Sequence, residues 1–75
     1  MRTESLSKVI AVLERMGYRQ VARRGDLVSF DVLTGSGYPI ILDESRDTIR
    51  LDDLNNQLEM AGVELNVFWE EMQQV

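Results

Sequence analysis

The sequence predicts an α+β fold of order α-β-β-β-α-α, a three-stranded antiparallel sheet with its helices gathered on one face. Three observations carry this. Apolar residues recur at helical spacing up to Gly17, alternate at period two between Val28 and Leu42, and return to helical spacing beyond Asp52. Seventy-five residues hold one small core, so residues 1–75 are read as a single domain with a thin stability margin.

The elements follow in order. Leu6, Val9, Ile10, Leu13 and Met16 form one apolar stripe, with Ser5 or Thr3 as the N-cap and Gly17 as the stop, which predicts a helix over 5–16. Tyr18 to Arg24 reads as a strand joined through Gly25-Asp26, a two-residue hairpin signal, to a strand over 27–33. In that second strand Val28, Phe30 and Val32 are apolar while Ser29 and Asp31 are polar, so one face is buried. Thr34-Gly35-Ser36-Gly37 reads as the next turn. Tyr38, Ile40 and Leu42 give the third strand its inward set, and Pro39 assigns that strand to an edge. Asp43 to Asp47 is a polar loop. Asp52 or Asp53 is expected to cap a helix that turns Leu54, Leu58 and Ala61 inward and stops at Gly62. A last short helix has Val67, Phe68 and Met72 as its apolar side, with Glu70 and Glu71 outside.

Composition removes several chemistries. The chain has no histidine and no cysteine, so it lacks the usual general base near neutral pH, the strongest nucleophile, and the His/Cys ligands of zinc sites. No cofactor and no metal are expected. The longest apolar runs, Val9 to Leu13 and Tyr38 to Leu42, are far short of a membrane span, and the acid-bearing start is unlike a signal peptide. The expectation is a cytoplasmic protein that does not enter a membrane. The net charge of −5 is unevenly placed: residues 1–42 carry six Lys/Arg and four Asp/Glu, residues 43–75 two Arg and nine Asp/Glu. A polynucleotide needs a basic footprint, and Arg15, Arg19, Arg23 and Arg24 are the one concentration available.

Leu-Glu-Arg-Met-Gly-Tyr at 13–18, Val21 to Phe30, and Leu54, Leu58, Ala61, Gly62 and Val63 together resemble the HicA (YcfA-like) toxin family. That family's pattern is a helix ending in Gly-aromatic, a hairpin bearing Gly-Ser-His, and a helix ending in Ala-Gly-aliphatic. The resemblance spans most of the chain and implies a double-stranded-RNA-binding-domain-like fold. It also implies kinship with toxins that cut mRNA and are neutralised by a HicB-type antitoxin. With Gly25 aligned, the family's Ser is Asp26 and its catalytic His is Leu27, followed by Val28. Leucine can neither accept a proton from a ribose 2′-hydroxyl nor donate one to a leaving group, so the chain is expected not to be a ribonuclease.

If Val28, Phe30 and Val32 point under the helices, then Leu27, Ser29 and Asp31 stand on the open face, with Ile41 beside them. Apolar groups there suit a protein partner, so Leu27, Ser29 and Ile41 are the expected contact residues, with Arg23 or Arg24 at the rim. The partner is expected to be a HicB-like antitoxin or a second copy. The alternative is a non-cleaving RNA binder that uses Arg19, Arg23 and Arg24; the acidic balance disfavours it. Other motifs read as structure: Asp52-Asp53 as an acidic helix start, Asp43, Glu44 and Asp47 as solvated surface, and Arg24-Gly25-Asp26 as a hairpin tip. Phe68 and Trp69 divide between a core position and either a helix edge or an interface anchor.

Overall fold

The structure is a computed structural model that describes residues 2–32 and 38–75. It contains β1 (Thr3–Ser5), α1 (Leu6–Arg15), β2 (Tyr18–Arg24), β3 (Leu27–Val32), β4 (Ile40–Asp43), β5 (Thr48–Arg50), α2 (Leu51–Met60) and α3 (Leu65–Gln74). The main sheet is antiparallel in the order β2-β3-β4, so the α+β class and the three-stranded sheet expected from the sequence are present. The expected turn over Thr34-Gly35-Ser36-Gly37 lies outside the described residues. No helix among the described residues is long and apolar enough to cross a membrane.

Two short strands join the expected elements. β1 and β5 form a separate antiparallel ribbon in which Thr3 pairs with Arg50 and Ser5 with Thr48. Each strand runs directly into a helix, and each helix takes its first bond from the opposite strand's side. The Leu6 N–H donates to the Asp47 carbonyl (2.9 Å), and the Leu51 N–H donates to the Arg2 carbonyl (3.1 Å). Backbone carbonyls thus satisfy helix-start amides that would otherwise be orphaned.

This ribbon explains one correction. The N-cap of α2 is Arg50, without a side-chain cap bond, and not Asp52 or Asp53. The ribbon starts the helix two residues earlier than the acidic pair suggests. Asp52 and Asp53 fall in its first turn, where the positive end of the helix dipole favours carboxylates. Of the two caps weighed for α1, Ser5 is the one used: its hydroxyl accepts from the Lys8 N–H at 3.4 Å, while Thr3 belongs to β1.

α2 ends on Gly62, whose φ of 78° is the left-handed conformation that side chains with a Cβ resist. There the Gly62 N–H reaches the Glu59 carbonyl (3.0 Å) and the Val63 N–H the Leu58 carbonyl (2.9 Å), satisfying the last turn.

The core is Leu6, Val9, Val12 and Leu13 of α1, Tyr18, Val28, Phe30, Ile40 and Leu42 of the sheet, Leu54 and Leu58 of α2, and Phe68 and Met72 of α3. Two expected core positions are exposed. Tyr38 precedes β4, since the ladder begins only with Ile40 opposite Phe30, and Pro39 has no N–H to extend it. Val67 is 41 % exposed because the inward stripe of α3 runs through Leu65, Phe68, Trp69 and Met72, one helical face away. Trp69 is half-buried: it meets Phe68 edge-on at 5.2 Å and donates its indole N–H to Asn55 Oδ1 (3.3 Å), fastening α3 to α2.

Candidate functional site

Register determines what each face of the main sheet presents, because residues paired directly across strands share a face. Val28 pairs with Leu42 and Phe30 with Ile40, and these four are buried under the helices. Leu27 pairs with Asp43 and Ser29 with Ile41, so these four belong to the opposite, open face. Leu27 and Ile41 are 47 % and 43 % exposed there and lie diagonally across one ladder step. The sheet therefore brings together Leu27, Ser29 and Ile41, the three residues expected to make partner contact.

β2 completes the face through an irregularity. Tyr18, Arg19 and Gln20 pair with Val32, Asp31 and Phe30, but Ala22, Arg23 and Arg24 pair with Ser29, Val28 and Leu27, leaving Val21 as an inserted residue. A bulge of this kind reverses the facing of everything beyond it. Without it, Arg23 would share the open face; with it, Ala22 and Arg24 do. Arg24 is thus the arginine beside Leu27, and the open face consists of the rows Arg24-Leu27-Asp43, Ala22-Ser29-Ile41 and Arg19-Asp31.

The arginines divide by what they touch. Arg15 pairs with Glu71 of α3 (3.0 Å) and also reaches Gln74. Arg23 shares the row of Val28 and forms an ion pair with Glu44. Arg19 donates to the carbonyls of Tyr18 (2.7 Å) and Glu14 (3.0 Å), the latter at the C-terminal end of α1, where a cation is favoured. Arg24 makes no hydrogen bond or ion pair with the described residues. Two of the four arginines thus neutralise carboxylates from the acidic second half of the chain.

The polar chemistry of the face is modest. Asp43 accepts from the Ser45 hydroxyl (2.6 Å) and the Ser45 N–H (3.0 Å); these bonds, with Arg46 nearby, hold its carboxyl below the ordinary aspartate range. It is therefore an anion at neutral pH and not a proton donor. Asp31 accepts from the Val32 N–H at 2.8 Å. Burial, and secondarily the Asp31 charge, push the Tyr18 phenol up, so that side chain is neutral. Among the described residues no three His, Cys, Asp or Glu side chains converge as metal ligands. Leu27 contributes only a hydrocarbon surface.

A second feature had no sequence signal. β4 is an outer strand, and an open groove of about 930 Å³ runs along it toward α2 and the ribbon, lined in part by Leu6, Ile41, Ile49, Gln57 and Met60. Gln57 reaches across from α2 and bonds the backbone of Ile41. Nothing in a lone glutamine within a polar helix face foretells a strand partner sixteen residues away. The segment read as a polar loop from Asp43 to Asp47 begins on the last residue of β4, and the Asp43–Ser45 bonds turn the chain there.

Comparison with models of protein families, with curated proteins and with solved structures returns no match for this chain.

Proposed function

We propose that this chain is a non-cleaving, cytoplasmic protein-interaction module of the HicA-like kind, which binds through the open face of its sheet. The observation that carries this reading is the pairing of two large exposed apolar side chains, Leu27 and Ile41, on a face no helix covers. A sheet face turned permanently to water favours polar residues, and a hydrocarbon patch between small neighbours, Ser29 and Ala22, suits a flat contact. The resemblance to the toxin family makes a HicB-like antitoxin or a second copy the partner class. Leu27 in place of the family's histidine makes the module non-catalytic.

The RNA-binding alternative requires Arg19, Arg23 and Arg24 to face phosphates together. The bulge puts Arg23 and Arg24 on opposite faces, and Arg23 is held by Glu44, which weighs against that reading. Two experiments test the proposal. Purified protein incubated with structured mRNA should leave it intact, and cleavage that persists through independent preparations refutes the non-catalytic assignment. Co-expression with the product of a neighbouring HicB-like gene should give a complex that Leu27→Asp weakens and rising salt does not; steep salt weakening would favour phosphate-type contacts instead.

A further inference from the structure

The two edges of the main sheet are closed to strand addition. Along β4 the Ile41 N–H and C=O are both taken by Gln57. Along β2 the ladder is broken by the Val21 bulge, and Arg19, Arg23 and Arg24 line the strand. Bulges and charged side chains are the usual devices that prevent edge pairing. A partner of this sheet must therefore stack on its open face.

That face carries its own complement. β3 is the central strand, with β2 and β4 on either side. A two-fold axis laid along β3 between two facing sheets turns β2 of one copy over β4 of the other. Arg24 of each copy then meets Asp43 of the other, which joins a cation without a partner among the described residues to a carboxylate whose own ion pair, with the largely exposed Arg46, is loose at 3.8 Å. In the next row the small Ala22 meets the large Ile41, while Leu27 and Ser29 lie on the axis against their own counterparts. The other in-plane axis, across the strands, lays β2 on β2 and never brings Arg24 to Asp43; placed on their row it stacks Arg24 on Arg24, which repels. Charge and size both select the axis along β3.

We propose that the open face is a homodimer interface, built on a two-fold axis parallel to β3 and paired by reciprocal Arg24–Asp43 contacts around a Leu27–Leu27 centre. The inference rests on the reading of this face as an interaction surface and names its occupant. Three strands at about 4.8 Å spacing, each about five residues long at about 3.3 Å rise, bury on the order of 500 Å² in total. That falls below the roughly 1,200–2,000 Å² of tight complexes, so the dimer is weak and concentration-dependent. Asp31 also lies near the axis, at the end away from Leu27, where two copies approach with like charge. Its removal should tighten the dimer.

The decisive experiment uses charge exchange in the full chain, followed by sedimentation equilibrium up to millimolar protein, with circular dichroism confirming the fold. Arg24→Asp alone sets aspartate against Asp43 twice per dimer, and Asp43→Arg alone sets arginine against Arg24 twice. Each should weaken association by about tenfold or more. An equimolar mixture of the two variants restores both attractions and should dimerise as the parent does. Asp31→Asn should tighten the parent dimer. Should Asp43→Arg disturb the Ser45 turn, Leu27→Cys supplies a second test: the chain has no other cysteine, and oxidation should give a disulfide dimer far faster than Arg24→Cys does. A parent chain that stays monomeric at millimolar concentration, or variants whose mixture associates no better than either alone, overturns the inference. The broader interaction reading fails separately, when Leu27→Asp leaves binding to the HicB-like partner unchanged.

Discussion

The side-chain amide of Gln57 bonds both backbone groups of Ile41, accepting from its N–H at 3.4 Å and donating to its C=O at 2.9 Å. It does for the outer edge of β4 what a neighbouring strand would do. The same residue whose side chain stands exposed on the open face thus has its backbone sealed along the edge. One position separates two modes of association: stacking is open to it and strand addition is closed.

Replacing Gln57 with Ala should therefore unseal the edge. The Ile41 amide should exchange with solvent measurably faster, and stability should fall by about 1 kcal/mol, the usual net worth of such bonds. Hydrogen exchange resolved at Ile41 checks this. An unchanged rate there would mean that the glutamine is incidental to the strand.

The two faces of β3 should respond oppositely to charge. Leu27→Asp, on the open face, should shift stability by only about half a kcal/mol, as exposed sites usually do. Phe30→Asp puts a carboxylate into the core at a position only 3 % exposed and should unfold the chain, because an unpaired buried charge costs more than a small domain's whole margin. Urea melts of both variants check the pair. An unfolded Leu27→Asp would invert the face assignment.

These facings were legible in the sequence because Val28, Ser29, Phe30 and Asp31 alternate cleanly, and a period of two leaves one arrangement that buries the apolar set. Helix stops at Gly17 and Gly62 and the turn at Gly25 were legible for a similar reason, each having a positive φ that favours glycine. β2 was harder. Val21 looks like one more strand residue, and the bulge that inserts it depends on pairing with β3, so the choice between Arg23 and Arg24 could not be made locally. The ribbon left no local pattern at all. Thr3-Glu4-Ser5 and Thr48-Ile49-Arg50 are too short to show alternation, and their strand character comes only from each other. Of the candidate contact residues, Leu27, Ser29 and Ile41 followed from alternation, whereas the Gln57 contact required the third dimension.

Asp43 gives a pH signature. Its carboxyl titrates below the ordinary aspartate range because the folded chain supplies the Ser45 hydroxyl, the Ser45 N–H and Arg46. A carboxyl depressed in the folded state contributes stability that is present above its unfolded pKa and lost as pH falls through the folded one. The native state should accordingly weaken in the acid range below the ordinary aspartate value. Ser45→Ala should move the Asp43 midpoint upward, as followed by carboxyl-carbon chemical shifts. An unmoved midpoint would assign the depression to the remaining backbone N–H of residue 45 and to Arg46.

Gly62→Ala offers a test of backbone strain without steric conflict. A methyl group there meets no atom within 4 Å, so any cost is conformational. At φ 78° that cost should be about 1–2 kcal/mol. Thermal melts should show a lower midpoint for Gly62→Ala and a smaller loss for Gly62→Asn, which tolerates this conformation better. Equal losses would point to a different cause.

The ribbon between Thr3–Ser5 and Thr48–Arg50 also sets an order of events during folding. The hairpin of β2 and β3 closes through two residues and can form at once, whereas β1 must wait for a partner from the far half of the chain. Closing so long a loop costs entropy before any contact repays it. β1 stays unpaired until Thr48 to Arg50 are in place, and only then can α2 receive its first hydrogen bond from Arg2. β1 is therefore among the last elements to lock, well after the hairpin of β2 and β3 has closed.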